Sequence, residues 1–192
     1  MFRNHLCGLL AFAACSLLLS VAKSGSTAKS DLSRPYRAWL DEDVRWIITD
    51  QERAAFQKLS TDAQRDQFVM AFWTRRDPTP GTPENEFKEE HYRRLAYANQ
   101  HFAATIPGWK TDRGRVYIVY GPPDQIESHP SRAVREELLP TEDVTGSANP
   151  YEVWHYRHLK VIGQDVTVKF VDSCRCGDYR RKVEPSEKLD LP

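Results

Sequence analysis

The stretch Gly108-Trp109-Lys110-Thr111-Asp112-Arg113-Gly114-Arg115-Val116-Tyr117-Ile118-Val119-Tyr120-Gly121-Pro122-Pro123 marks a change of pattern in the chain. Before it, apolar residues recur at helical spacing. Within it, Val116, Ile118 and Tyr120 alternate with Tyr117 and Val119, apolar on both sides. That alternation predicts a central strand over Arg115–Tyr120, ended by Gly121-Pro122-Pro123. Ahead of it, the side chains of Thr111 and Asp112 can accept hydrogen bonds from nearby backbone N–H groups and fix a turn. Gly114 admits a backbone angle that other residues avoid. Arg113 and Arg115 offer bidentate forks to carboxylates such as Asp77 or Glu152, and Trp109 is expected to cover a sheet edge. The segment therefore reads as a clasp joining a helical half to a sheet half. The functional reading of the same Trp-Asp-Arg-Arg group is a pocket for an anionic ligand or a carboxylate-bearing peptide.

Working upstream, Thr82-Pro83 predicts the start of a helix over 83–103, with Phe87, His91, Leu95, Asn99 and Phe102 along one face. Glu89–Arg93 and Glu90–Arg94 stand at i,i+4 spacing on its solvent side. Two capping boxes precede it. Thr49-Asp50-Gln51-Glu52 opens a helix that buries Phe56 and Leu59. Thr61-Asp62-Ala63-Gln64 opens another, with Phe68, Phe72 and Trp73 as its stripe. Downstream, Tyr151–Arg157 and Asp165–Asp172 read as strands, with the turn near Ile162-Gly163-Gln164-Asp165. The polar span 128–149 reads as a surface loop with a short helix near Ala133–Leu138. Helices first and strands after give an α+β fold, with three main helices on a small antiparallel sheet in a single domain over 36–182.

The chain has 192 residues and balanced charge, 27 Lys+Arg against 27 Asp+Glu. That balance argues against a nucleic-acid binder, which carries a basic excess. Five Trp, eight Tyr and eight Phe supply an aromatic core. At the N-terminus, Arg3 precedes an uncharged apolar run from Leu6 to Ala22, and Ser20-Val21-Ala22 offers a cleavage site before Lys23. Residues 1–22 are expected to be a signal peptide and 23–35 a linker, with cleavage after Ala28 as the fallback. An uncleaved anchor and lipidation at Cys15 are the alternatives. Beyond the signal only Cys174 and Cys176 remain, in a Cys-Arg-Cys turn before Gly177. Two thiols in a tight turn are the plain reading, and a redox or intermolecular role is the functional one. Two thiols alone supply half of a metal site. Residues 183–192 read as a flexible tail.

Gly108-Trp109-Lys110-Thr111-Asp112 resembles the GWxTD-domain family, named for its Gly-Trp-x-Thr-Asp signature. Further blocks carry the likeness: Phe72-Trp73-x-x-Arg76-Asp77-Pro78-Thr79-Pro80, Asn85-Glu86-Phe87 and Tyr151-Glu152-x-Trp154-x-Tyr156. Together they extend the resemblance over roughly Trp39 to Asp172. It implies an exported bacterial domain of unassigned activity, and so a fold and an address but no mechanism. A looser likeness runs to small outer-membrane-assembly lipoproteins. It rests on a strand ending in Gly-Pro-Pro, a variable loop, a Trp-x-Tyr strand and a final apolar strand.

Catalytic patterns are weak. The six histidines show no zinc-ligand spacing, and there is no Gly-x-Ser-x-Gly elbow or glycine-rich phosphate loop. Glu86 and Glu90 share a helix face, but His91 is turned about 100° from Glu90 and reads as a core histidine. The expected function is therefore that of a non-catalytic interaction or assembly module of the envelope, without cofactor or metal. Its partner would be another envelope protein or polymer, with no membrane contact after cleavage. The candidate surface is Trp109, Asp112, Arg113, Arg115, Asp124, Glu152 and Trp154, beside the 128–149 loop. The alternative is a small-ligand or hydrolase-like enzyme pairing Asp112 with Asp77 or Glu152.

Overall fold

The computed structural model describes residues 32–131, 149–159 and 162–183. The expected signal, most of the linker, the helix near Ala133–Leu138 and nearly all of the tail lie outside them.

Both capping boxes form. Thr49 caps α2 (Asp50–Gln57) and Thr61 caps α3 (Asp62–Thr74), each by a reciprocal exchange with the residue three positions on. The linker ends earlier than expected, because Ser33-Arg34-Pro35 opens a short helix α1 (Arg34–Ala38), continued by a π-helical turn at Trp39–Asp43. Pro suits a first helical turn, where its missing N–H has no partner to lose. The long helix α4 runs Glu86–His101 and is capped by Asn85, whose Oδ1 accepts the Lys88 N–H at 2.8 Å. Thr82 is not the cap; its hydroxyl donates to the carbonyls of Thr79 and Glu84. Arg94 pairs with Glu90 at 2.6 Å as spaced, and Arg93 also joins Glu90 instead of Glu89.

The expected central strand is a helix. A 3-10 turn at Gly108–Lys110 leads to α5 (Asp112–Tyr120), capped by Thr111. Val116 and Ile118 are both buried, yet two residues apart on a helix they stand about 200° from each other. A short helix covered on two sides therefore buries alternate residues and imitates a strand's period. Gly114 is also not where a positive φ is needed. A Cβ on it would lie 1.9 Å from the Gly108 carbonyl oxygen, so the glycine serves close approach of two backbones.

Among the described residues the sheet has four antiparallel strands in the order β1 (Gln125–His129), β2 (Tyr151–Leu159), β3 (Gly163–Val171), β4 (Arg180–Lys182). Strand β1 was not expected; it precedes the expected loop and takes only its first two residues, Ser128 and His129. It was hidden by its polar sequence, Gln-Ile-Glu-Ser-His, whose first four residues are exposed. Because Arg115–Tyr120 is helical, the likeness to assembly lipoproteins loses its first strand.

Among the described residues two apolar clusters result. The first joins Trp39, Leu40, Val44, Phe56, Phe72 and Trp73. The second joins Ala98, Phe102, Trp109, Val116 and Ile118 to Trp154, Tyr156, Val168 and Phe170 of the sheet. Helix α4 serves both, with Tyr92 on the first and Leu95 and Ala98 on the second. Among the described residues no helix is long and apolar enough to cross a membrane.

Candidate functional site

The signature segment lies between α4 and the sheet, and its backbone and side chains bond to both. Asn99 Oδ1 accepts the Trp109 N–H at 3.0 Å, and the Trp109 carbonyl accepts the indole N–H of Trp46 at 2.8 Å. The Trp109 ring is buried in the second cluster. The buried Thr111 hydroxyl donates to the Gly108 carbonyl at 2.8 Å and accepts the Gly114 N–H at 3.0 Å. This closes the turn and starts α5. A Cβ on Gly108 would sit 1.8 Å from the Ala98 carbonyl oxygen, so only glycine lets the turn touch α4 there.

The charged residues reach the strands. Asp112 Oδ2 accepts the Arg181 backbone N–H at 2.8 Å, tying the first turn of α5 to β4. Arg113 Nη1 donates to Glu152 Oε1 at 3.0 Å, its Nη2 donates to the Gly177 carbonyl, and the guanidinium lies 4.1 Å from the Tyr179 ring centroid. Glu152 Oε2 accepts the indole N–H of the fully buried Trp154 at 3.0 Å. Arg113, Glu152 and Trp154 thus form one hydrogen-bonded group from α5 to β2, and Asp112 beside them ties α5 to β4. Arg115 turns elsewhere, stacking over Trp46 at 4.5 Å, and burial holds its pKa below the ordinary arginine range.

Two sequence candidates lie apart from this group. Asp124 precedes β1 and binds Arg157 through both its backbone N–H and its guanidinium, each at 2.7 Å, which holds the carboxyl below the usual range. Asp77 accepts the Thr79 N–H at 3.0 Å in the turn after α3 and does not reach either arginine of the signature. Of the two carboxylates offered to those arginines, Glu152 is the one taken.

Cys174 and Cys176 are joined by a disulfide. Buried Asp172 holds their turn, accepting the N–H groups of Cys176 at 3.1 Å and Gly177 at 2.8 Å. The three side chains are close enough to be considered a metal group, but sulfurs bonded to each other offer no thiolate. The disulfide turn is also the one whose Gly177 carbonyl Arg113 binds, which links it to the signature.

Two polar arrangements escaped the sequence reading. In the first cluster, Arg76 donates to Glu52 at 2.7 and 3.0 Å and covers the Phe72 ring at 3.6 Å. Burial by itself would raise the Glu52 pKa. Arg76, the Thr49 N–H and Arg75 outweigh that and hold it at about 2. The capping box exposed Glu52 as a cap, but its distance from Arg76 along the chain concealed the ion pair. Secondly, buried His91 bonds the Asp43 carbonyl through Nε2 at 2.6 Å, while the Tyr92 hydroxyl donates to the Asp43 carboxylate at 3.3 Å. Burial lowers the His91 pKa, so the ring is neutral and Nε2 is the donor.

Compared with known protein families, residues 35–135 match the GWxTD domain, a stretch that ends before β2. No curated protein and no solved structure matches the chain. The match covers α1 to α5 and β1, with the Gly-Trp-Lys-Thr-Asp signature inside it, and takes in over half of the sequence: the chain belongs to the GWxTD-domain family.

Proposed function

We propose that this chain is an exported envelope protein whose domain acts as a non-catalytic interaction or assembly module. The observation that carries this reading is how the signature's charges are engaged. The carboxylates of an acid/base pair must face substrate and exchange protons. Here Asp112 is bonded to the β4 backbone, and Glu152 is held between Arg113 and Trp154. Asp77 belongs to a separate turn. Residues so engaged fix architecture, and the enzyme alternative has no observation in its favour.

The docking surface is then sought at the sheet's edges instead of at the buried signature residues. The edge at β4 is guarded by α5, since Asp112 takes the Arg181 N–H. Among the described residues no strand pairs with the outer edge of β1, where Ile126 is 48% exposed. An extended segment of a partner protein adding to β1 would bury that side chain and satisfy the edge.

The test is site-specific photocrosslinking in cells that naturally make the protein, with the crosslinker at Ile126 and, as a control, at exposed Met70. A discrete adduct from position 126 and none from 70 is expected. No adduct at 126, or equal adducts from both, refutes docking at β1. Export is tested separately by N-terminal sequencing of the mature protein, expected to begin at Lys23. A retained Met1 in the cytoplasmic fraction overturns it.

A further inference from the structure

A disulfide that spans a single residue closes almost no loop. Its hold on the unfolded chain grows with the length of loop it closes, so the Cys174–Cys176 bond is a poor staple. The turn that carries it is also held by other means. Buried Asp172 accepts the Cys176 N–H through Oδ1 and the Gly177 N–H through Oδ2, and Arg113 binds the Gly177 carbonyl. Strand β4, which follows, is anchored at Arg181 by Asp112. The bond therefore adds little to the fold.

Its surroundings make it chemically available. Both cysteines are exposed. Arg175 between them has a φ of 56°, a left-handed conformation that a non-glycine residue holds at a cost. Opening the bond lets Arg175 leave it. Cys174 Sγ lies 3.2 Å from Asp172 Oδ1. A disulfide sulfur has no hydrogen to place in that contact, whereas a Cys174 thiol donates one to the carboxylate. The carboxylate thus favours the reduced pair over the oxidised one.

We propose that Cys174–Cys176 is a thiol–disulfide exchange site whose substrate is a dithiol. A deprotonated substrate thiol bonds to Cys176 Sγ, and the Cys174–Cys176 bond breaks. Its electron pair stays on Cys174 Sγ, which takes up the proton the substrate released and donates a hydrogen bond to Asp172 Oδ1. The second substrate thiol, deprotonated in turn, bonds to the first substrate sulfur. The bond to Cys176 breaks, and Cys176 keeps its electron pair and takes the second proton. Two electrons and two protons pass from the substrate, which becomes a disulfide, to the cysteine pair, which becomes two thiols. One exchange per molecule suffices, so the site goes beyond the docking reading without depending on turnover. It is also independent of docking at β1, since its turn joins β3 to β4 at the other edge of the sheet.

The purified full chain is equilibrated with mixtures of reduced and oxidised dithiothreitol, and free thiols are alkylated. Mass spectrometry then follows the fragments containing Cys174 and Cys176, beside thermal melting. The bond is expected to open in the native protein, with cooperative melting retained. A bond that opens only after unfolding, or a fold lost on opening, overturns the proposal. Asp172→Asn keeps an acceptor oxygen and should shift the equilibrium roughly threefold or more toward the disulfide. An unchanged ratio overturns the carboxylate's part. Two further variants decide the matter even if that one fails to fold. With oxidised glutathione as probe, Cys174→Ser should form a mixed disulfide at Cys176 roughly tenfold faster than Cys176→Ser forms one at Cys174, whose thiolate the neighbouring carboxylate disfavours. Equal rates, or no adduct in either variant, overturn the assignment.

Discussion

Both apolar clusters pack rings, but the second is bordered by the signature's close backbone contacts, which the first has no counterpart for among the described residues. Near the N-terminus, Trp39 packs on Phe56 at 4.9 Å and on Phe72 at 5.2 Å, and Phe56 meets Phe68 at 5.3 Å. Those contacts join helices that are close in sequence, and a partly buried ion pair, Arg76 with Glu52, closes them off. Beside the second cluster, the signature adds glycine against carbonyl oxygen and side chain against distant backbone. Gly108 meets Ala98, Gly114 meets Gly108, and Asp112 reaches the N–H of Arg181. Rings can shift slightly when a neighbour changes, but a backbone pressed on a backbone has nowhere to move. The signature's lack of tolerance for added atoms follows from that difference in material.

The sharpest way to test the contrast is Gly108→Ala. Its Cβ would overlap the Ala98 carbonyl at 1.8 Å, and we expect a loss above about 4 kcal/mol, with no folded protein recovered. A soluble, cooperatively melting variant would break the comparison.

Next in size is Phe72→Ala, which empties a fully buried ring site in the first cluster and should cost about 3–5 kcal/mol in chemical denaturation. Because α4 belongs to both clusters, one transition should shift as a whole. Two separate transitions would show that the halves unfold independently.

A titration sharpens the electrostatic side. The Glu52 pKa is depressed in the folded state to about 2 from its ordinary value of 4.5. The stabilisation is therefore complete above about 4.5 and is lost as pH falls toward 2. Glu52→Gln should be less stable than the parent at neutral pH, and the gap should narrow across that window in acid melting curves. A constant gap would remove Glu52 from the cluster's support.

The smallest effect is expected at Asp112. Asp112→Ala should cost about 1–3 kcal/mol by leaving the Arg181 N–H without its acceptor. Asp112→Asn keeps an acceptor oxygen and should cost less. Unchanged melting in the alanine variant would refute the clasp.

Legibility followed the range of the interactions. The capping boxes at Thr49 and Thr61 and the β2 and β3 strands were readable because each depends on residues within a few positions. The Arg76–Glu52 pair, whose partners are 24 positions apart, and the Asp112–Arg181 bond, 69 positions apart, have no local trace. Glu152 was read as a partner for Arg113 or Arg115, and only the fold selected Arg113. Asp124 is a candidate for the same surface in sequence, yet it binds Arg157.

By itself the sequence determined the α+β class, the helix starts at Thr49 and Thr61, and the family signature. Each of these is written in short-range patterns of hydrogen-bonding side chains and apolar spacing. Only the tertiary structure decided that Arg115–Tyr120 is a helix. Alternate burial arises equally from a strand between two layers and from a short helix covered on two sides. Which of them forms depends on the neighbours that Val116 and Ile118 meet, and those neighbours come from α4 and the sheet, far away along the chain.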